Sequence, residues 1–370
     1  MLQTLTSRWF DLRNRLLANP GFQRRATAFP LTRPIARRRA TALFDLCAGF
    51  VYSQVLQACV QLRLFEILRD GARTTDQIAE RLSLPPADTS RLLQAATALR
   101  LLQHRGPDRF GLGVLGAALV GNPAVTAMIQ HHAPLYADLR DPVGLLRRQH
   151  LSTELGQLWP YAAGSNPANL PAQDVAAYTT LMAASQPLVA ADVLASYRLD
   201  RHHCLMDVGG GDGTFLVQAA TTAPRLDLML FDLPAVTEHA RTRFTAAGLD
   251  SRARIFGGDF RTDPLPQGAD IVSLVRVVHD HDDEAAASIL SASWNALPQG
   301  GTLLLAEPMA GTPAAGGMEA YFLFYLLAMG SGRPRRPDEL TSMLHTAGFT
   351  RVRLMPSPQP MLVRILAAVK

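Results

Sequence analysis

The sequence predicts an α/β fold whose C-terminal half is a mainly parallel sheet covered by helices on both faces. The first observation is an apolar run that ends in a glycine-rich turn and is followed by a helical pattern, all within residues 205–215. The second is the alternation of strand-like and helical segments from residue 201 onwards. Such alternation is typical of buried parallel strands joined by crossover helices. The seven expected strands are residues 203–208, 227–232, 253–256, 271–275, 301–306, 351–355 and 362–368.

The glycine-rich turn, DVGGGDGT at residues 207–214, has the composition of a nucleotide-binding loop. Glycine permits positive φ and lets a ligand approach the backbone closely. The dinucleotide fingerprint needs a small residue, ideally glycine, at its sixth position, where this chain has Thr214. The pattern G-x-G-x-G favours S-adenosylmethionine (SAM) over NAD, and a plain tight turn is the alternative.

Acidic residues follow the next two expected strands. Asp232 ends an apolar strand 23 residues after Gly209. In a βαβ unit this spacing brings its carboxylate to the glycine turn, where it can accept hydrogen bonds from both ribose hydroxyls. Asp259 and Phe260 follow the third strand. The acid could accept a hydrogen bond from the amino group of adenine, and the aromatic ring could stack on the adenine ring. Helix capping is the simpler role for both acids.

The fourth strand leads into a run of histidines and acids at residues 276–284. Next to a SAM site, His279 suits a general base that takes the proton of a hydroxyl nucleophile, because the unperturbed pKa of histidine is ~6.5. Glu307, at the end of the following strand, could orient this imidazole by accepting its other N–H. A metal cluster is the alternative. It is disfavoured because residues i and i+2 of a strand point to opposite faces, so we expect no metal.

Length and composition bound the remaining choices. A chain of 370 residues suggests two or three domains. Three scattered cysteines indicate a reducing compartment. Neither a signal peptide nor an apolar run of ~18 to 20 residues stands out, so we expect a cytoplasmic protein.

Residues 1–40 form a basic arm with nine arginines against one acid, Asp11. Aromatic and leucine residues lie between the arginines. This composition fits a peripheral contact with an anionic membrane surface, and it fits a solvated arm equally well. Nothing elsewhere in the chain supports a nucleic-acid partner.

Residues 41–120 have the pattern of a winged helix. An apolar helical stretch at 41–68 is followed by a helix through Leu82, a second helix running to about Leu102, and a hairpin around residues 106–108. The second helix offers only Arg91 and Arg100 as cations, few for an element that must neutralise DNA phosphates. A dimer contact is therefore favoured over DNA binding.

Residues 121–200 are predicted to form a helical bridge between the winged helix and the SAM-binding domain. Loops are expected at Gly144, at residues 164–167 and at Pro171. Met182 and Gln186 are our candidate substrate contacts, although each alone suits a core or surface position. Further polar and aromatic residues of the bridge are His131, His132, Trp159, Tyr161 and Tyr178. Residues 201–370 then form the SAM-binding domain.

Five motifs resemble, in order and spacing, those of the SAM-dependent small-molecule O-methyltransferases of the caffeate and acetylserotonin type. They are residues 205–215, 231–234, 258–260, 278–284 and 306–308. Over about residues 40–370 the resemblance implies an intertwined winged-helix homodimer and a Rossmann-like domain that holds SAM. It implies cofactor contacts from Gly209, Asp232, Leu233, Asp259 and Phe260. It also implies that Arg276 lies at the cofactor, that His279 is the base and that Glu307 flanks it.

The sequence departs from that family pattern twice. His281 stands where an aromatic residue is usual. Pro334 stands where plant members have a second carboxylate beside the base, which would leave His279 with one orienting acid.

The arm, residues 42–57 and residues 321–334 are similar to the carotenoid O-methyltransferases of purple photosynthetic bacteria. This narrower resemblance implies an apolar substrate, an acyclic carotenoid methylated at its tertiary C-1 hydroxyl. The aromatic cluster at residues 321–327 agrees with a long apolar acceptor. Residue chemistry alone leaves open a phenol, a quinone or a bacteriochlorophyll precursor methylated on carbon.

Overall fold

The structure is a computed structural model that describes residues 2–149, 152–158, 172–313 and 315–370, with side chains at all of these except 2–5 and 172–181. Contacts divide the chain into two units, Met1–Val120 and Gly121–Lys370. Several residues singled out in the bridge lie outside the described part, namely Trp159, Tyr161, residues 164–167, Pro171 and the side chain of Tyr178.

The first unit combines helices with a small antiparallel sheet. Its helices are α1 (Leu2–Ala18), α2 (Pro20–Ala28), α3 (Arg33–Gln61), α4 (Leu64–Ile67), α5 (Thr75–Leu82), α6 (Pro86–Ala98) and α7 (Val114–Leu119). Its strands are β1 (Arg73–Thr74), β2 (Leu102–His104) and β3 (Arg109–Leu112), paired in the order β1-β3-β2. A reciprocal capping box between Thr74 and Gln77 starts α5. Helix, helix and hairpin confirm the winged-helix prediction.

Two helix boundaries in this unit differ from the sequence prediction. The helix predicted to begin at residue 41 begins earlier, because α3 runs unbroken from Arg33 to Gln61 across the expected end of the arm. The second helix ends at Ala98 rather than near Leu102, since Arg100 takes a left-handed conformation (φ 61°) and Leu102 opens β2. Length and composition alone would let α3 span a membrane. No other helix in the described ranges meets that test. The test is weak evidence for a membrane span, since core helices of globular proteins also pass it.

The second unit begins with helices and continues as a seven-stranded sheet. Its helices are α8 (Pro123–Asp138), α9 (Pro142–Leu146), α10 (Glu154–Gln157), α11 (Ala172–Ser196), α12 (Thr214–Thr222), α13 (Pro234–Ala246), α14 (Asp283–Ala296), α15 (Gly316–Met329) and α16 (Pro337–Thr346). Its strands are β4 (Cys204–Val208), β5 (Asp227–Asp232), β6 (Ala253–Gly257), β7 (Ile271–Val275), β8 (Thr302–Glu307), β9 (Arg353–Met355) and β10 (Arg364–Val369). The loop expected at Gly144 is wrong: this glycine is buried inside α9.

The sheet has the strand order β6-β5-β4-β7-β8-β10-β9. All pairs from β6 to β8 are parallel, and β10 runs antiparallel to both of its neighbours. Successive side chains alternate between two apolar cores, as Leu205 and Met206 do. The predicted mainly parallel sheet is therefore confirmed, and the carboxyl ends of five strands meet at one edge, where such sheets bind ligands.

Candidate functional site

A cavity opens at the carboxyl ends of β4, β5, β6 and β7. The glycine turn, the ends of β5 and β6, the segment after β7 and one turn of α11 enclose it. It is lined by Met182, Ala183, Gln186, Gly209, Gly210, Gly211, Asp212, Asp232, Leu233, Val236, Asp259, Phe260, Arg261, Val275, Arg276, Val277, Asp280 and His281. All residues predicted to bind the cofactor, and both candidate substrate contacts, therefore surround a single cavity.

The glycine turn packs too tightly against the neighbouring strand end to carry a side chain. Gly209 has a φ of +69°, and a Cβ there would lie 2.8 Å from the Val277 side chain. Its N–H donates to the Phe231 carbonyl at 2.8 Å, which joins the turn to β5. The turn thereby keeps its backbone beside the cavity, as a cradle for a ligand requires.

Asp232 has the donor–acceptor chemistry that a ribose needs. Each of its carboxylate oxygens accepts one backbone N–H at 2.7 Å, from Gly211 and from Leu233. A carboxylate oxygen has two acceptor sites, so each keeps one for a hydroxyl group. Burial raises the pKa of Asp232 to about 6, although the two N–H bonds oppose this shift. These residues fit the ribose of SAM.

Asp259 and Phe260 stand where the adenine ring was predicted, but the carboxylate is already engaged. Arg261 donates to Asp259 from Nη2 at 2.9 Å and from Nε at 3.1 Å. Burial alone would raise the pKa of Asp259, and these bonds reverse the shift and lower it. Phe260 packs edge-on against His281 with ring centroids 5.3 Å apart. An adenine amino group would share Asp259 with Arg261.

Arg276 connects the end of β7 to α11. It takes a left-handed conformation with φ 58°, and its guanidinium donates to Ser185 Oγ at 2.9 Å and to Gln186 Oε1 at 2.6 Å. Gln186 and the Met182 carbonyl, 3.4 Å from Arg276 Nη2, thus hold a cationic group at the cavity. Ser185 was missed because nothing in the sequence sets it apart from other helical serines.

His279 lies in a 3₁₀ turn, Val278–Asp280, which is separated from the end of β7 by two residues. Its Nδ1 is 2.6 Å from Glu307 Oε2. The other oxygen of Glu307 accepts the backbone N–H groups of Val277 and Val278 at 3.0 and 2.7 Å. Glu307 therefore fixes both the imidazole and the main chain that carries it.

A second carboxylate also faces His279. Asp280 Oδ1 is 3.1 Å from Nε2, so the expectation of a single orienting acid is wrong even though Pro334 supplies none. Burial would lower the pKa of His279, but Asp280 and Glu307 outweigh it and the pKa is raised. Burial raises the pKa of Asp280 to about 6. Asp280 and His281 are among the residues that line the cavity, and His279 is not.

The run of histidines and acids does not continue the strand, so the alternation argument used against a metal site rested on a wrong premise. The 3₁₀ turn changes the side-chain directions. Across the described ranges, no group of three or more His, Cys, Asp or Glu side chains is arranged to hold a metal ion.

An aromatic cluster on α15, formed by Tyr321, Phe322 and Tyr325, adjoins His279. The Phe322 ring meets the His279 ring edge-on at 5.9 Å, and the two tyrosine rings stack at 5.5 Å. The Tyr325 hydroxyl is 2.8 Å from His131 Nε2, and the Tyr321 hydroxyl is 2.9 Å from His132 Nε2. Burial lowers the pKa of His131 to about 4 and that of His132 in the same direction, so both imidazoles are neutral partners.

Comparison with known proteins identifies the family of the chain. Residues 44–122 match an O-methyltransferase dimerisation domain, and residues 136–350 match an O-methyltransferase domain. The chain is 42% identical to a demethylspheroidene O-methyltransferase of Cereibacter sphaeroides, over 96% of this chain and 94% of that one. It is 41% identical to the Rhodobacter capsulatus protein of the same name, over 92% and 84% of the two chains.

The human N-acetylserotonin methyltransferase, solved in complex with SAM, has the same fold. The TM-score is 0.74 at 21% identity, and the match covers 90% of this chain and 97% of that one. The glycine turn and Asp232 lie within the residues that match the O-methyltransferase domain. The chain is thus a homodimeric, SAM-dependent member of the O-methyltransferase family.

Proposed function

We propose that this protein transfers the methyl group of SAM to the tertiary C-1 hydroxyl of an acyclic carotenoid of the demethylspheroidene or hydroxyneurosporene type, in spheroidene biosynthesis. Similarity to two demethylspheroidene O-methyltransferases along nearly the whole chain carries this proposal. Family membership sets aside the alternative of a winged-helix DNA-binding regulator. Retention of duplex DNA at physiological salt would reopen it.

The aromatic cluster supports an apolar acceptor. The hydroxyls of Tyr321 and Tyr325 are already paired with His132 and His131, so what the cluster offers beyond these pairs is apolar ring surface. Phe322 extends the cluster to His279. A phenol or quinone would instead need polar partners for its own oxygens.

The cofactor residues have separate roles in this reaction. When bound, SAM supplies an electrophilic methyl group on a sulfonium, a leaving group that needs no acid. Asp232 holds the ribose and Arg276 offers positive charge to the carboxylate of the amino acid part. The glycine turn carries the backbone that lies against the ligand. Their contribution is to hold the methyl group in line with the acceptor oxygen.

His279 serves as the general base. A tertiary aliphatic hydroxyl is far less acidic than a phenol, so its proton moves to the imidazole only while its oxygen closes on the methyl group. Glu307 keeps the proton of the neutral imidazole on Nδ1 and leaves Nε2 as the acceptor. Asp280, beside Nε2, stabilises the imidazolium that forms. General base help of this kind contributes roughly 10² to 10⁴-fold.

One assay separates the acceptor classes. The wild-type protein is incubated with labelled SAM and an equimolar mixture of a hydroxylated acyclic carotenoid, a bacteriochlorophyll precursor and a catechol. We expect label on the carotenoid oxygen. Label on the tetrapyrrole alone would replace the proposal with carbon methylation, and label on the catechol alone would return the protein to the phenol class.

A single substitution tests the base. His279→Ala is expected to lower turnover by about 10² to 10⁴-fold while SAM affinity, measured by calorimetry, stays within a factor of about two. His345→Ala, on α16, is the matched control and should leave turnover unchanged. Wild-type turnover in His279→Ala would remove His279 from the mechanism.

We also propose that the arginine-rich arm, residues 1–40, binds the anionic face of the inner membrane, where a carotenoid acceptor resides. Its aromatic residues are exposed beside the arginines, Trp9 by 60% and Phe29 by 55%. Arg13 packs over the Trp9 and Phe10 rings, at 5.7 and 4.7 Å from their centroids. This arrangement suits an interfacial segment.

Vesicle sedimentation tests the arm. Deletion of residues 1–40 should abolish binding to vesicles with 30 mol% anionic lipid, while turnover of detergent-dispersed carotenoid persists. Neutral vesicles are the control, and wild-type binding should fall at high salt. Binding that survives the deletion would place the membrane contact elsewhere.

A further inference from the structure

Arg335 is a charged side chain buried next to the proposed base. It lies between α15 and α16 and is only 2% exposed, although arginine is almost never fully buried unless it is paired. A buried guanidinium needs acceptors for its N–H groups, and their identity indicates what the residue does.

The acceptors of Arg335 bracket the turn that carries His279. Nη1 donates to the Val278 carbonyl and Nη2 to the His281 carbonyl, both at 2.8 Å. Nε donates to Asp283 Oδ1 at 2.9 Å, at the first residue of α14. One rigid, planar group therefore fixes the main chain before His279, the main chain after it and the helix that follows.

The residues just before Arg335 hold the carbonyl of His279 itself. The N–H of Arg333 donates to the His279 carbonyl at 2.9 Å. Gly332 has a φ of +82°, and a Cβ there would lie 2.2 Å from the same carbonyl oxygen. The segment 332–335 thus approaches the turn so closely that only glycine fits at its first position.

We propose that Arg335 is the positioning residue of the base: it locks the backbone of the His279 turn so that the imidazole stays aligned with Glu307. It acts through the main chain and touches no reacting atom. The inference rests on the proposed role of His279 as base. Such alignment matters because a shift of about 1 Å in a reacting group can cost about 100-fold in rate.

The experiment compares Arg335→Lys with Arg336→Lys. Lysine keeps the charge but cannot reach three separate acceptors. Arg336, the next residue, is exposed and bonds through its guanidinium to Asp338, so it is a matched control. The acceptor is whichever compound the wild-type protein methylates, so the test does not depend on the carotenoid assignment.

In Arg335→Lys we expect kcat to fall about 10- to 100-fold, with KM for the acceptor and SAM affinity changed less than about threefold. The acidic limb of the kcat–pH profile should move to lower pH, because a loosened turn weakens the contact with Glu307 that favours the imidazolium. The His279 resonance in a histidine-labelled NMR spectrum should titrate at lower pH in the same variant. Arg336→Lys should match the wild type in all measurements.

Unchanged kcat and an unchanged His279 titration in folded Arg335→Lys would overturn the positioning role. So would a loss of turnover that is fully accounted for by weaker SAM binding, or a variant that does not fold, since either would assign Arg335 to the stability of the domain. If His279→Ala keeps wild-type turnover, the base assignment fails. If His279→Ala loses turnover but Arg335→Lys keeps it, the base assignment holds and the positioning role of Arg335 fails.

Discussion

Glu307 acts on His279 with one carboxylate oxygen and on the main chain of the same turn with the other. An amide at this position would keep the backbone bonds but present an N–H₂ group to Nδ1. The neutral imidazole would then carry its proton on Nε2, the nitrogen proposed to accept the hydroxyl proton. Orientation and tautomer at this site therefore depend on a charged, acceptor-only group.

Glu307→Gln is expected to lower kcat and to move the acidic limb of its pH profile to lower pH. Only neutral His279 accepts a proton, so kcat rises with pH through a pKa that the structure places above the ordinary value of 6.5. Loss of Glu307 removes one carboxylate that raises this pKa. Glu284→Gln, on the exposed side of α14, is the control. An acidic limb that stays in place would contradict this account.

Asp207 is a buried acid that sequence reasoning assigned no role. Its Oδ1 accepts from Ser273 Oγ at 2.6 Å, while Oδ2 has no hydrogen-bond partner among the described residues. Burial raises the pKa of Asp207 from 3.8 to about 7. The folded state thus binds a proton that the unfolded state releases, and stability falls as pH rises through this interval.

Asp207→Asn removes that pH dependence. The unfolding free energy of the variant minus that of the wild type should be larger at pH 8 than at pH 5, by on the order of a few kcal/mol. Urea unfolding without SAM at both pH values measures the gain. Asp227→Asn, exposed at the start of β5, is the control. An equal difference from the wild type at the two pH values would mean that Asp207 is ionised in the fold.

At the scale of elements, α8 and α15 are joined by the pairs His131–Tyr325 and His132–Tyr321. His131→Phe should cost about 1 to 3 kcal/mol, because the buried Tyr325 hydroxyl loses its partner. The double variant His131→Phe with Tyr325→Phe should recover most of this loss, since no polar group is then left unpaired. Thermal unfolding measures the cycle, and additive losses would contradict the pairing.

The same pairs should affect acceptor choice. His131→Phe releases a hydroxyl into the aromatic cluster, so the ratio of kcat/KM for an apolar over a phenolic acceptor should fall. The double variant restores an apolar surface and should restore the ratio. A ratio that is equal in all three proteins would separate this cluster from specificity.

Sheet elements were predictable because their signals are local. Every strand of the large sheet lies within two residues of its expected bounds, since apolar runs bounded by glycine or acidic residues specify it directly. The site residues after β4, β5, β6 and β8 followed from the rule that parallel strands end at one edge.

The rest of the site depends on contacts that sequence spacing does not encode. The 3₁₀ turn at Val278–Asp280 has no periodic pattern, so the approach of Asp280 to His279 could not be foreseen. Arg335 donates to the carbonyl of His281, just after this turn, although the two residues are 54 positions apart in the sequence. His131 and Tyr325 are 194 residues apart. Such pairs are defined only once the helices are packed.

At the scale of the whole molecule, we expect the exposed apolar side chains of α3 to lie in the homodimer interface. Leu46 is 81% exposed and Phe50 72% exposed in the single chain, and both lie within the residues that match the dimerisation domain. An apolar surface of this kind requires a partner. A charged residue on it should therefore weaken self-association.

Leu46→Glu is expected to raise the dimer dissociation constant at least tenfold, because about 1.4 kcal/mol of lost interface energy has that effect. Sedimentation velocity across a dilution series measures it. Val143→Glu, at an apolar position that is 51% exposed and lies outside the dimerisation match, is the control. Unchanged sedimentation of Leu46→Glu would place the interface elsewhere on the chain.

The unbroken course of α3 has a consequence for attachment to a surface. The helix that begins among the arginines, at Arg33, is the one that enters the dimerisation domain, so every homodimer brings two arms. With each arm in its proposed role as a membrane anchor, the two arms would act with avidity: once one has attached, the other binds at a high effective concentration. Dilution below the dimer dissociation constant, or the Leu46→Glu substitution, should therefore release the enzyme from vesicles although each arm is chemically intact.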